Sequence, residues 1–261
     1  MKRIGRALPL LSAALLLAGC GLLRNARTWA PGWFGMERAG DRLWVEHACP
    51  ESTRTELRRD RALARVSVER WFGPPRSDPD VIACSSRAVA SAFGLGGRAG
   101  AHSAPWQRIV LGPHLLNAAV MAHEWSHAEL AARLGARIPT RAGHVPRWLD
   151  EGLACVVGDE PRFSEDQWAK IERSGRPVPS LRELWTFRQI EAAEAAYGDT
   201  SRDRARNLHV VYTTSAHEVR RWLGIVGTGG VRRLVKALDD GESFTAAYAR
   251  IEREGPGRYA P

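Results

Sequence analysis

Apolar and polar positions follow different patterns in the two halves of this chain. Between Leu43 and Leu111, short apolar runs bounded by turn residues predict the order strand, helix, strand, short helix, strand, with Glu51–Trp71 as the longest helix. After Gly158 the apolar positions recur at the spacing of amphipathic helices. Strands followed by a run of helices predict an α+β fold with a small mixed sheet and a mainly helical C-terminal half.

Cap residues divide the second half into separate helices. The segment Leu115–Leu134 is rich in Ala, Leu, Val and Met and predicts a buried helix just before that half. The predicted later helices are Leu181–Phe187 after Ser180, Gln189–Tyr197, Arg204–Gly224, Val231–Leu238 after Gly229 and Gly230, and Phe244–Arg253 after Ser243. Three tryptophans of this half are expected to be core anchors: Trp168, Trp185 and Trp222.

The length of the chain suits one sizeable core. Its 261 residues are 44% hydrophobic and contain no internal repeat or low-complexity block. We therefore predict a single domain over residues 41–254, followed by a loose tail over residues 255–261.

The N-terminus has the features of a secretory signal peptide. A basic start precedes the apolar run Ala7–Leu17, which is too short to remain as a membrane span, and its basic residues are Lys2, Arg3 and Arg6. Small residues follow, as at a cleavage site. We predict a signal peptide over residues 1–19.

The sequence Leu17-Ala18-Gly19-Cys20 resembles the bacterial lipobox. That resemblance implies that Cys20 is acylated and becomes the first residue of the mature protein, with residues 20–40 as a lipidated tether. Gly21 after the cysteine implies sorting to the outer membrane of the cell envelope, facing the periplasm. The alternative is an ordinary cleavage site in which Cys20 is incidental.

The positive charge of the chain does not predict a nucleic-acid partner. The formal net charge is +9, but removal of the signal peptide takes away three basic residues and no acid. Arginine carries most of the remaining positive charge and is dispersed along the chain rather than gathered into a stripe with aromatic residues between. We expect no nucleic-acid partner, and we expect contact with the lipid bilayer through Cys20.

Three cysteines remain in the mature chain, which an exported protein carries into an oxidising compartment. Cys49 and Cys84 each follow a short strand-like run, which predicts a disulfide between neighbouring strands. Cys155 lies four residues after Glu151 and shares its helix face. It is interpreted either as a small buried residue or as an additional contact of a metal site.

The pentad His123-Glu124-Trp125-Ser126-His127 points to metal chemistry. Residues four apart lie on one face of a helix, so His123 and His127 can present two imidazoles to one metal ion, with Glu124 beside it. A catalytic zinc site takes three protein ligands and keeps the fourth position for water. The pentad therefore requires a third ligand.

Glu151 is the strongest candidate for the third ligand. It opens a helical run after Pro146, and thermolysin-like zinc sites take a glutamate from a second helix. A zinc ion held by His123, His127 and Glu151 would lower the pKa of its bound water from about 15.7 to about 7. Glu124 would accept the proton as that water attacks a carbonyl.

Together the pentad and the segment Trp148-Leu149-Asp150-Glu151-Gly152-Leu153-Ala154 resemble the gluzincin metallopeptidases of the MA clan, which include aminopeptidase N. That family has HExxH, a gap of about twenty residues, and a Trp-Leu-x-Glu-Gly element; the gap here is slightly longer. The resemblance covers residues 106–158 well and the remainder loosely. It implies a thermolysin-like zincin core with an active-site helix.

The resemblance also implies a phenol that stabilises the oxyanion. In aminopeptidase N a tyrosine after the third ligand has this role, and Tyr212 is its counterpart by position. Tyr197 and His217 are the other candidate donors, and the alternative role for Tyr212 is helix packing.

Two further residues or segments have expected roles. The run Arg108–Leu111 corresponds to the edge strand that lines a gluzincin cleft, where an extended substrate could add by backbone hydrogen bonds, or it is an ordinary core strand. Glu129 points away from the metal by helical geometry and is expected to be a solvated or outer carboxylate.

The sequence thus predicts a membrane-anchored zinc metallopeptidase that hydrolyses peptide bonds, with one Zn²⁺ per chain and Glu124 as general base. The alternative is a non-catalytic envelope lipoprotein that keeps the zinc site as a structural or partner-binding element; a fourth ligand such as Cys155 would favour it. The substrate is a peptide or protein whose identity the sequence does not specify.

Overall fold

A computed structural model describes residues 26–95, 101–104, 108–135, 145–197 and 209–256 of the chain, with only the backbone described for 101–104. The predicted signal peptide, Cys20 and residues 257–261 of the predicted tail lie outside the described residues. The fold is α+β, with a small mixed sheet and mostly helices, as the sequence predicts.

The chain divides into two compact units. The first comprises Met1–Arg58 and Asp80–Leu116, and the second comprises Arg59–Pro79 and Asn117–Pro261. The single domain predicted over residues 41–254 therefore consists of two units, each with its own buried residues.

A five-stranded mixed sheet organises the first unit, in the order β1-β2-β3-β5-β4. The central pairs β2/β3 and β3/β5 are parallel, and the outer pairs β1/β2 and β4/β5 are antiparallel. The strands are β1 (Met36–Gly40), β2 (Leu43–Glu46), β3 (Asp80–Ala83), β4 (Ala101–Ala104) and β5 (Arg108–Leu111). Helix α1 (Glu51–Phe72) follows β2, and the short α2 (Arg87–Ala90) follows β3.

The sheet decides between two alternatives and corrects one prediction. Strand β5 pairs with β3 on one side and β4 on the other, so Arg108–Leu111 is a core strand, which was one of the two alternatives, and not the edge strand that the resemblance implied. The predicted tether, residues 20–40, contains strand β1, where Met36 and Ala39 are buried. Its ladder to β2 makes this segment part of the fold, because paired backbone groups and buried side chains hold it in the sheet.

The predicted Cys49–Cys84 disulfide is not formed, since both residues are buried free thiols. The register of the parallel pair β2/β3 gives the reason. Val45 is opposite Ala83, so Cys84 follows at the level of Glu46 and Cys49 lies further along the chain. The Cys49 thiol instead lies 3.8 Å from the carbonyl of Pro50.

Helices make up the second unit: α3 (Ala118–Leu134), α4 (Arg147–Gly158), α5 (Glu165–Arg173), α6 (Phe187–Tyr197), α7 (Val210–Val226), α8 (Gly229–Asp239) and α9 (Phe244–Glu254). Helix α9 begins at Phe244, as the sequence predicts, whereas α3 begins at Ala118 and not at the predicted Leu115. In both helices a side chain binds a free N–H group of the first turn. Asn117 accepts a hydrogen bond from Val120 N at 3.0 Å, and Ser243 accepts one from Ala246 N at 3.4 Å. Ser180 and Glu183 form a capping box, although the helix after them is the short 3₁₀ turn Leu181–Leu184.

Helix α4 packs between α3 and α7, and a glycine makes the second contact possible. A Cβ atom at Gly152 would lie 2.3 Å from the carbonyl oxygen of Ser215 on α7. Only a residue without a side chain permits the two backbones to approach this closely. Gly152 therefore allows α4, the helix that carries Glu151, to pack closely against α7.

Glu129 on α3, expected to be either a solvated or an outer carboxylate, is fully buried. Its carboxylate accepts hydrogen bonds from Arg76 N at 2.9 Å, from Ser77 N at 2.8 Å and from Arg133 Nε at 2.6 Å. The solvated alternative is wrong because the loop that follows α1 covers this face of the helix and supplies backbone donors that water would otherwise provide.

Trp222 is buried and stacks on Tyr248, whereas Trp168 and Trp185 are only half-buried. Trp168 stacks on His217 and Trp185 contacts Phe244 edge-on. Across the described part of the chain, no helix combines the length and apolar character that a membrane span needs.

Candidate metal centre

Helices α3 and α4 bring the three predicted ligands together. His123 and His127 lie one turn apart on α3, with ring centroids 5.1 Å apart, and Glu151 lies in the first turns of α4. Nε2 of His123 is 3.6 Å from Oε2 of Glu151, and Nε2 of His127 is 3.4 Å from the same oxygen. One ligand atom from each residue lies within 4.8 Å of the other two.

These distances fit a zinc ion. Ligand atoms bound tetrahedrally at about 2.0–2.1 Å lie roughly 3.3–3.5 Å from one another. The two nitrogen–oxygen distances, 3.6 Å and 3.4 Å, are close to that spacing. Two imidazoles and one carboxylate are also a donor set that zinc commonly takes in hydrolytic sites.

A buried carboxylate lies beside Nδ1 of each imidazole, and the contact between His127 and Asp150 is a hydrogen bond. Nδ1 of His127 is 2.6 Å from Oδ1 of Asp150, and Nδ1 of His123 is 2.7 Å from Oε1 of Glu160. Asp150 and Glu160 are 6% and 2% exposed. A carboxylate at Nδ1 leaves Nε2 as the ligating atom, and such contacts usually strengthen a histidine as a metal ligand.

Arg147 holds the third ligand. Its Nη2 is 2.5 Å from Oε1 of Glu151, and its Nη1 pairs with Asp150. Because Arg147 occupies one carboxylate oxygen of Glu151, the other oxygen, Oε2, is the one directed toward the two histidines.

The charges of the site reinforce one another. Burial alone would lower the pKa of His127, but Asp150 and Glu151 outweigh it and raise the pKa to about 10. Burial also opposes the charged form of His123, yet contacts with Cys155, Glu151 and Glu160 raise its pKa well above the usual range. Burial would raise the pKa of Glu151, but the two histidines and Arg147 stabilise its charged form and keep the pKa well below the usual range.

Glu124, the predicted general base, lies on α3 between the ligand histidines and is 7% exposed. Burial raises the pKa of Glu124, and the nearby imidazoles of His123 and His127 offset part of that rise. A raised pKa brings a carboxylate closer to the working range of a proton acceptor near neutral pH.

Cys155 is fully buried behind His123. Its sulfur lies within 4.8 Å of ligand atoms of His123 and Glu160, whereas the group of His123, His127 and Glu151 does not include it. Burial raises the pKa of the Cys155 thiol to about 11. It packs with Phe163 and Ala216 in a small apolar cluster. In the described part of the chain Cys155 is therefore not a member of the three-residue ligand group.

Tyr212 lies on α7 next to the metal centre and stacks on Phe163, with ring centroids 5.6 Å apart. Burial raises its pKa, and so do the nearby carboxylates of Glu151 and Glu194; the second also forms a hydrogen bond with the phenol. Phe163 in turn lies against the first candidate ligand, His123, with ring centroids 6.5 Å apart. Tyr212 is thus positioned to serve either as a donor at the site or as a packing residue.

The two alternative donors have other partners. Tyr197 donates a hydrogen bond to exposed Glu183 at 2.8 Å. His217 stacks on Trp168 and places Nδ1 2.9 Å from Glu165.

Comparison with protein-family models and with curated proteins finds no match for this chain.

Three residues of the site were absent from the sequence prediction. Asp150 and Arg147 precede Glu151 by one and four positions, and the four-residue spacing of opposite charges on a helix was a usable signal. Glu160 had no such signal. Its position depends on the end of α4, where Asp159 adopts a left-handed conformation with φ 48° and a Cβ atom at Gly158 would meet Ala119 O at 2.6 Å.

Proposed function

We propose that this protein is a zinc-dependent peptide hydrolase whose metal is held by His123, His127 and Glu151. The observation that carries the proposal is the convergence of both Nε2 atoms on Oε2 of Glu151 at 3.6 Å and 3.4 Å, with a buried carboxylate behind each imidazole. A chance HExxH pentad would not be accompanied by a third ligand at zinc spacing and by two orienting carboxylates.

Each side chain has a distinct task in this proposal. A bound zinc ion would supply an acidified water and polarise a carbonyl. Glu124 takes the proton from the attacking water and passes it to the leaving amine, for which its raised pKa is suited. Asp150, Glu160 and Arg147 keep the ligand atoms in place, and Tyr212 donates a hydrogen bond to the carbonyl oxygen as negative charge develops there.

The gluzincin-type spacing of the pentad and of Glu151 supports a peptide bond as the group hydrolysed. The lipobox-like ending at Cys20 supports a location in the cell envelope, with the enzyme tethered to the bilayer by an acylated N-terminus. On this proposal the substrate is a peptide or protein that reaches the periplasmic face of the outer membrane.

Metal analysis combined with peptide hydrolysis tests the proposal. The purified chain is expected to contain about one zinc ion. His123→Ala is expected to lose it, whereas Glu124→Gln should keep zinc and lose hydrolysis of a mixed peptide library by at least about a hundredfold. His114→Ala, at an exposed histidine beside Arg87, serves as the control and should change neither property.

Full hydrolysis by Glu124→Gln would show that the assigned base is wrong. A chain that binds one zinc ion tightly but cleaves no peptide in the library would instead support the non-catalytic lipoprotein with a structural zinc site. A chain without metal whose activity does not depend on added zinc would contradict both assignments.

A further inference from the structure

Two tryptophans near the N-terminal end of the described chain face solvent. Trp33 is 88% exposed and Trp29 is 56% exposed. Trp side chains carry the largest apolar area of any residue and are normally covered, so two of them four positions apart indicate a contact surface.

The backbone presents these rings in a defined way. Pro31 opens a 3₁₀ turn over Pro31–Phe34, and Gly35, with φ 81°, closes it through a hydrogen bond to Pro31 O. Pro31 and the neighbouring Thr28 are buried, which fixes the turn to the body of the first unit. Trp33 therefore points outward from an ordered turn.

The tryptophans have cationic neighbours. The guanidinium of Arg108 lies 4.5 Å from the centroid of the Trp29 ring, and its Nε is 3.6 Å from Asp80. Arg27 lies over the ring of Phe34, 5.6 Å from its centroid, and donates to Ala92 O. The sequence from Cys20 to Met36 contains basic residues and no acid.

We propose that Trp29 and Trp33, with Arg27, form a surface that docks the first unit on an anionic lipid bilayer. Trp is enriched at the membrane–water interface, where its ring lies among the headgroups, and arginines there are attracted to anionic lipid. Trp33 follows the predicted acylation site Cys20 by a stretch that spans at most about 45 Å when fully extended. A lipid on Cys20 would thus hold these rings within reach of the bilayer surface, and the proposal does not depend on the zinc site.

Fluorescence quenching by brominated lipids tests this surface on the full chain, expressed with its leader and reconstituted into phosphatidylcholine–phosphatidylglycerol vesicles. Bromines placed near the headgroups are expected to quench part of the tryptophan emission. The double variant Trp29→Phe/Trp33→Phe should lower that quenched intensity at least twofold. Replacement of phosphatidylglycerol by neutral lipid should weaken the wild-type quenching, because Arg27 then has no anionic headgroup to bind.

The matched control is Trp168→Phe, at a half-buried tryptophan of the second unit that stacks on His217. It should leave the quenched intensity unchanged. Equal quenching in the double variant and the wild type would overturn the proposal. The proposal would also be overturned if brominated lipids left Trp33 emission unquenched and sedimentation showed a dimer, since a second copy of the chain would then cover the surface.

Discussion

Oε1 of Glu160 lies 2.7 Å from Nδ1 of His123, although the two residues belong to segments separated by the whole of helix α4. Glu160 is 2% exposed, and Arg162 pairs with its other oxygen. With Glu160 beside Nδ1, the other ring nitrogen of His123, Nε2, is the one that faces Glu151. A residue outside both sequence motifs thus orients the first candidate ligand.

Glu160→Gln is therefore expected to weaken zinc binding while the chain stays folded. Loss of an outer carboxylate typically costs 10- to 100-fold in metal affinity, so we expect a decrease of about that size. Competition with a chromophoric chelator measures it. Glu172→Gln, at an exposed position of α5, is the control, and equal affinities for the two variants would contradict the role of Glu160.

Zinc binding is expected to release protons. In the metal-free protein the pKa of His127 is about 10, so its imidazole is protonated at neutral pH, whereas zinc binds the neutral ring. Zinc affinity should therefore rise with pH up to about pH 10, roughly tenfold per pH unit for each proton displaced. The charged histidine contributes to the stability of the metal-free fold below its unfolded pKa, and this contribution is lost as pH rises through about 10.

Calorimetry at pH 7.5 in two buffers of different ionisation enthalpy measures this release. A buffer-dependent heat that corresponds to roughly one or two protons per zinc is expected. Identical heats in both buffers would mean that the imidazoles are already neutral without metal.

Gly152→Ala is expected to destabilise the protein, because the new Cβ would lie 2.3 Å from the backbone oxygen of Ser215. Forcing apart two packed helices costs about 1–3 kcal/mol of unfolding free energy. Urea denaturation measures the change. Gly224→Ala makes the same chemical change at an exposed position of α7 with nothing within 4 Å, and it should instead stabilise by up to about 1 kcal/mol.

Zinc affinity of the Gly152→Ala variant gives a second measurement. We expect it to fall, because the substitution moves the helix that carries Glu151. A stability equal to that of the Gly224→Ala variant would show that α4 and α7 do not pack as closely as described.

Tyr212→Phe separates a donor from a packing residue. The ring stack on Phe163 survives in the variant, but the hydroxyl is lost. We expect unchanged zinc content and a kcat lowered roughly 100-fold, the usual effect of removing an oxyanion donor, with little change in KM. Tyr197→Phe, whose hydroxyl binds Glu183 at the surface, is the matched control. A fully active Tyr212→Phe variant would assign this residue to packing.

Local periodicity in the sequence was enough to predict much of the candidate site. His123, Glu124 and His127 share a helix, and Glu151 follows on the next one, because helical spacing depends only on neighbouring residues. Cap residues such as Ser243 likewise determine where a helix begins through contacts one turn away.

Tertiary structure alone decided the features that depend on distant segments. Glu160 reaches His123 because α4 ends in a left-handed turn, and Glu129 is buried because the loop after α1 covers it. The register of the strand pair β2/β3 keeps Cys49 and Cys84 as free thiols. Burial and pairing are properties of surfaces that meet only after folding, so residue type and spacing predict the helices and the candidate ligands but not the partners that orient them.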